Sequence, residues 1–143
     1  MPCDCTDSEV IRYRRRLSGP VLDRIALHVE LGPVSADEAL LGPPAESSAE
    51  VRARVVKARR RQLARQTVAN ALLSPAQLAD VVDLNGSTAG LLRSAVKEHH
   101  LTGRATAGVL RVARSIADLV GASSVREPHV AEALSFRCSG SRL

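Results

Sequence analysis

Three hydroxyl-bearing residues, Ser47, Ser74 and Thr102, punctuate the sequence in a way that leaves little room for anything but helices after them. Ser47-Ser-Ala-Glu50 fits a capping box, in which the serine accepts from a first-turn N–H and the glutamate reaches back to the serine N–H. Ser74-Pro-Ala-Gln77 repeats that logic with proline at the first helical position, where no N–H is needed. Thr102 caps a third run. The apolar residues that follow recur at helical spacing and predict helices over about 47–66, 75–82, 88–99, 103–120 and 127–137. The expected buried positions are Val51, Val55 and Ala58 in the first of these and Leu91, Leu92, Ala95 and Val96 in the third. In the fourth they are Val109, Val112, Ile116 and Leu119. Gly121 is a fitting stop for that helix, and Pro128 is harmless in the first turn of the last. His99 and His100 stand near the end of the third helix, where a positive charge suits the dipole. The span 47–137 reads as a small bundle of four or five helices.

That bundle must be built without large rings. Among 143 residues there is one Tyr, one Phe and no Trp, although 45% of the chain is hydrophobic. The core therefore consists of Leu, Val, Ile and Ala, which bring little bulk per residue, and modest stability is expected.

The first 44 residues differ in character. Arg12, Arg14, Arg15 and Arg16 form a basic cluster, Ser18-Gly19-Pro20 breaks the chain, and Val21 to Ile25 suits a short helical turn. Leu27-His-Val-Glu-Leu31 alternates apolar and polar residues, the period of a strand with one buried face. A lone strand cannot pair its own backbone groups, so the reading demands a sheet outside the chain. Gly32 to Ala45 is rich in Gly and Pro and forms a linker, with a turn of helix around Ala36 to Leu41. The expected organisation is a segment 1–44 with one short strand, a helical domain 45–138 and a tail 139–143. The fold class is mainly α.

The formal charge is +5 and the isoelectric point about 9.9. A basic surface concentrates polyanions, so nucleic acid or nucleotide phosphate is a reasonable partner, and an Arg-rich solvated face is the bland alternative. The charge concentrates in the first predicted helix of the bundle, where Arg52, Arg54, Lys57, Arg59, Arg60, Arg61 and Arg65 cover most of the surface with no acid after Glu50. No apolar run is long enough to span a bilayer. The N-terminus lacks the basic and apolar regions of a secretory signal. Three cysteines imply no disulfide framework, and the reducing cytoplasm is the expected location.

Three blocks of sequence carry a resemblance. Ser18-Gly-Pro-Val-Leu-Asp-Arg-Ile-Ala-Leu-His28, Val109-Leu-Arg-Val-Ala-Arg-Ser-Ile-Ala-Asp-Leu119 and His129-Val-Ala-Glu-Ala-Leu134 stand in that order. Together they resemble the C-terminal part of the magnesium-chelatase-like AAA+ ATPases, the ComM family among them. The resemblance implies that the bundle is the C-terminal lid and that residues 1–44 are the last piece of an ATPase core. It implies that Arg24 is the arginine finger, acting in trans on a neighbouring subunit's nucleotide, where a planar guanidinium suits the charge of the breaking phosphate bond. The alternative for Arg24 is a pair with Asp23 or with a backbone carbonyl. Arg104 falls on the sensor-2 arginine, which contacts the γ-phosphate, and its place at a helix N-terminus suits an anion. Arg111 and Arg114 match basic positions of the motif, and their bland reading is a solvated or salt-bridged helix residue.

The departures are specific. Ala26 stands where the group has Asp, and Thr106-Ala-Gly108 replaces Tyr-His-Arg, whose contribution is not carried over. The group carries two Cys-x-Cys pairs that look like a zinc site. Cys3-Asp-Cys5 matches the second alone, and two thiolates do not complete the four-ligand set zinc requires. No metal site is expected.

No Gly-x-x-x-x-Gly-Lys-Ser/Thr run occurs, and no apolar strand ends in paired acids, so the chain is expected not to hydrolyse ATP alone or to need a cofactor of its own. Sixteen residues precede Leu17, and the resemblance leads to the expectation that the ATP- and magnesium-binding part lies upstream, as in a truncated or split gene product. His28 reads as structural. The parent implied by the resemblance is a hexameric, ATP-driven motor that moves on DNA, with branch migration in natural transformation as its task. Its partners for this chain are the core domain and neighbouring subunits. A stand-alone basic module that binds DNA through Arg52, Arg59, Arg60 and Arg61 is the second reading. The lid of a chelatase ATPase subunit is the third.

Overall fold

The computed structural model describes residues 4–16 and 18–138. The expected tail, 139–143, lies outside the described residues, as do Cys3 and Leu17. The helices are α1 (Asp7–Arg14), α2 (Gly19–Leu22), α3 (Ala36–Leu41), α4 (Ser48–Gln66), α5 (Pro75–Val81), α6 (Gly86–Glu98), α7 (Gly103–Val120) and α8 (Glu127–Cys138), with a 3₁₀ turn at Asn70–Leu72. No strand occurs among the described residues, and the chain is mainly α.

The three hydroxyl caps work as the sequence demands. Ser47 and Ser74 each complete a capping box, with Glu50 and Gln77, and the Thr102 side chain accepts from the Ala105 N–H. A fourth box, Thr6 with Glu9, starts α1 inside a stretch read only as polar and basic. Its Thr-x-x-Glu pattern was available in the sequence, but no apolar stripe followed it to argue for a helix.

α7 is the axis of the bundle. It packs against α4, α5, α8 and the 3₁₀ turn, while α6 leans on α8. The core is Leu73, Leu78, Val82, Leu92, Ala95, Val109, Ala113, Ile116, Ala117, Val125, Val130, Ala133 and Leu134. Small residues on α7 and α8 let the two helices approach closely, as a core without rings requires. Leu91, Val96 and Val112 pack against this cluster from its edge.

Three expectations are corrected. Leu27–Leu31 is not a strand, because no partner strand lies among the described residues to receive its backbone groups. Its alternation runs in the opposite phase. Leu27, Val29 and Leu31 point outward, 50%, 65% and 87% exposed, while His28 turns partly inward and donates its N–H to the Phe136 carbonyl at 2.8 Å. On α4, only Ala58 of the three expected core residues is buried. Val51 and Val55 continue the same stripe toward the N-terminus, but the bundle ends before it reaches them, and they are exposed. The stripe is completed instead by Gln62, buried and bonded to the Asn70 N–H. Leu119, the last of the α7 stripe, is also exposed.

Candidate functional site

Arg24 and Arg104 are 80 positions apart in the sequence, yet they line one cleft. Arg24 follows α2 in the turn that precedes the irregular segment 25–35, and Arg104 is the second residue of α7. Both side chains are exposed, and among the described residues neither has a hydrogen bond or ion pair. The alternative for Arg24, a partnership with Asp23, is not realised. Asp23 is engaged elsewhere, accepting from Arg137 Nη2 at 2.7 Å and from Thr102 Oγ1 at 2.7 Å.

The cleft has a volume of about 560 Å³. Ala26, Leu27 and Val29 from the N-terminal segment and Val112, Ile116 and Phe136 from α7 and α8 supply its apolar lining. Its polar edge carries four guanidiniums, Arg24, Arg104, Arg111 and Arg137, against the carboxylates Asp23 and Glu132. Two of the four are committed. Arg111 donates through Nε and Nη2 to the Leu73 carbonyl, and Arg137 holds backbone and Asp23. Arg24 and Arg104 are left to meet an anion. The chemistry such an arrangement offers is two-point neutralisation of a phosphate chain beside a helix N-terminus.

The helix α4 sorts its cations into two groups. Arg54 pairs with Glu46. Arg61 donates to the Asp118 carbonyl at 2.7 Å, and Arg65 makes a forked pair with the Asp118 carboxylate at 2.7 and 2.9 Å. Arg61, a candidate for nucleic acid, therefore serves as an anchor between α4 and α7. Arg59 reaches Gln62. Arg52, Lys57 and Arg60 are exposed and make no bond among the described residues.

A buried hub, unforeseen from the sequence, lies behind this face. Asp118 has no exposed surface and accepts from Arg65, Asn70 and Arg114. Burial alone would raise its carboxyl, but the hydrogen bonds from Arg65 and Asn70 and the charge of Arg114 outweigh it and hold it below the usual carboxylate range. Arg114 is 1% exposed, and burial pulls its guanidinium below the ordinary value against the attraction of Asp118. It also donates to the carbonyls of Ala122 and Ser123. The Arg111 and Arg114 of the sequence motif are thus structural residues.

Comparison with known proteins decides the family. The profile described as "Magnesium chelatase, subunit ChlI C-terminal" matches residues 45–137, and that described as "Magnesium chelatase, subunit ChlI" matches residues 1–39. The chain belongs to the magnesium-chelatase family. Within that family it is 39% identical over 131 residues to the competence protein ComM of Haemophilus influenzae, covering 90% of this chain and 26% of that protein. It is 37% identical over 134 residues to the uncharacterised protein YifB of Escherichia coli, covering 93% and 26%. A YifB of Salmonella typhimurium is 37% identical over 137 residues, with the same coverage. The chain spans about a quarter of the length of these relatives.

For this magnesium-chelatase-family chain, the sequence located the two free arginines but not what frames them. Asp23 and Arg137 acquire their roles only where the turn after α2 meets the end of α8. Cys5 is exposed, while its expected companion Cys3 lies outside the described residues. No helix among the described residues is long and apolar enough to cross a membrane.

Proposed function

We propose that this chain is the lid of a ComM-like, ATP-driven ring, with the last piece of the ATPase core attached. Its cleft faces the triphosphate held by another polypeptide. Arg24 acts in trans as the arginine finger, and Arg104 reads the γ-phosphate as sensor 2. The observation that carries this reading is the pair of exposed guanidiniums, far apart in sequence, that line one cleft and have no partner among the described residues. Arg65, Arg111, Arg114 and Arg137 end on a carboxylate or a carbonyl, whereas Arg24 and Arg104 leave their guanidiniums open to the cleft. Arg24 and Arg104 suit the phosphate chain of an ATP whose magnesium would be held by the parent protein. The chain alone has no phosphate loop and does not hydrolyse ATP. The parent is a cytoplasmic hexamer that moves on DNA, a reading supported by the similarity to a competence protein.

The test uses the ATPase of a full-length relative as the partner. Added chain lowers or raises that ATPase, and Arg24→Ala or Arg104→Ala abolishes the effect while leaving the helical circular dichroism unchanged. An effect that survives both substitutions overturns the reading.

A second reading rests on Arg52, Lys57 and Arg60. Their freedom from internal partners favours weak, salt-sensitive contact with a DNA backbone, which accompanies the lid role or, in a stand-alone module, replaces it. The lid of a chelatase subunit, the third reading, is supported by the family profiles alone.

A further inference from the structure

We propose that Arg137, near the end of α8, is the positioning residue that aims Arg24 into the cleft. The proposal rests on the reading of Arg24 as a phosphate-contacting group.

Three bonds carry it. Arg137 Nη1 donates to the Leu22 carbonyl at 2.9 Å and to the Ile25 carbonyl at 2.6 Å, and Nη2 donates to Asp23 Oδ1 at 2.7 Å. These acceptors bracket Arg24 on both sides in sequence. One guanidinium therefore fixes the backbone turn from which Arg24 projects, while Arg24 itself stays unbonded. The Arg137 side chain is only 10% exposed, so its bonds form where competition from water is small. The neighbouring Phe136 carbonyl takes the His28 N–H and extends the same attachment by one more bond.

The second oxygen of Asp23 links this turn to the other arginine. Thr102 Oγ1 donates to Asp23 Oδ2 at 2.7 Å, and Thr102 is the N-cap of α7, two residues before Arg104. The Arg24 turn is thus tied to the end of one lid helix and the start of another. Arg24 and Arg104 then belong to one rigid frame, and a movement of the lid carries both guanidiniums together. Among the described residues, the side-chain bonds to the segment 19–28 from elsewhere in the chain come from Arg137 and Thr102 alone.

Arginine is the residue suited to this place. Three acceptors spread over four residues require a planar fork, and an ammonium offers a single point. Arg137→Lys therefore keeps the charge and loses the geometry.

The experiment is carried out on the whole chain labelled with ¹⁵N. Amide exchange is measured over 19–28 and over 103–134, and the Nε resonances of Arg24 and Arg104 are followed during titration with inorganic tripolyphosphate. In the wild type, the two resonances follow one binding curve. In Arg137→Lys and Arg137→Ala, exchange over 19–28 accelerates at least about tenfold while 103–134 keeps its protection. Arg24 then leaves the common curve and Arg104 remains on it. Asp23→Ala lies outside the bundle and reproduces the uncoupling should the Arg137 variants lose their helices. Unchanged exchange over 19–28, or a common curve preserved in Arg137→Lys and Asp23→Ala, overturns the proposal. If neither wild-type resonance moves with tripolyphosphate, the phosphate reading of the cleft fails. The exchange data then decide separately whether Arg137 holds the turn.

Discussion

Gly108 on α7 faces Ala26 on the N-terminal segment, and a Cβ on the glycine would stand 3.7 Å from the alanine Cβ. These are two of the positions at which the sequence departs from the motifs it resembles. The resemblance places Asp at position 26 and Arg at position 108. A contact that would suit an ion pair is here a contact between the two smallest side chains.

The first prediction follows from that contact. Space at Gly108 is ordinary, so Gly108→Ala stabilises the chain by about 0.5–1 kcal/mol through helix propensity. Ala26→Asp combined with Gly108→Arg restores a partly exposed ion pair, with a coupling of about 0.5–1 kcal/mol. Urea unfolding of the two single variants and the double variant measures the cycle. A coupling of zero would show that the two sites do not communicate.

The second concerns the buried hub. Asp118→Asn removes the counter-charge of Arg114 while leaving the guanidinium buried, and costs about 3–5 kcal/mol. The wild type shows the same dependence in acid. The Asp118 carboxyl is depressed in the folded state, so its contribution is complete above the unfolded value of about 3.9 and is lost as pH falls through the depressed value. His129 acts at higher pH with the same sign. Burial, with help from Arg114 and Arg126 against Glu132, lowers its imidazole, and its Nδ1 accepts from the Arg126 N–H, which requires the unprotonated nitrogen. Its contribution is complete above about 6.5 and begins to fall below that. Thermal melts from pH 8 to 3 therefore decline in two stages, and His129→Gln removes the first.

The third concerns Gly121, which ends α7 with φ of +81°. A Cβ there would stand 2.8 Å from Arg61 Nη2. Gly121→Ala costs about 1–2 kcal/mol for the left-handed backbone alone. It costs more because Arg61 must give up its bond to the Asp118 carbonyl. In an Arg61→Ala background the penalty shrinks to the backbone part, and chemical denaturation of the four proteins reads the difference.

The helices were legible because their signals are local. A serine three residues before Glu50 or Gln77 predicts a start whatever surrounds it, and Gly121 predicts a stop. The period-two pattern at Leu27–Leu31 misled because alternation shows only that two faces differ, and a strand also needs a neighbour. Val51 and Val55 misled for a related reason: the stripe on α4 is longer than the bundle beneath it. The motif gave Arg24 and Arg104 by resemblance and could not give Asp118 its role. That role arises only where α4, the 3₁₀ turn and α7 meet, through residues 48 to 53 positions apart.

The one carboxylate at that junction leaves the assembly no partial state. Arg65, Asn70 and Arg114 share a single carboxylate, so its loss loosens three contacts at once. Asp118 thereby pins α7 to α4 and to the 3₁₀ turn at one point.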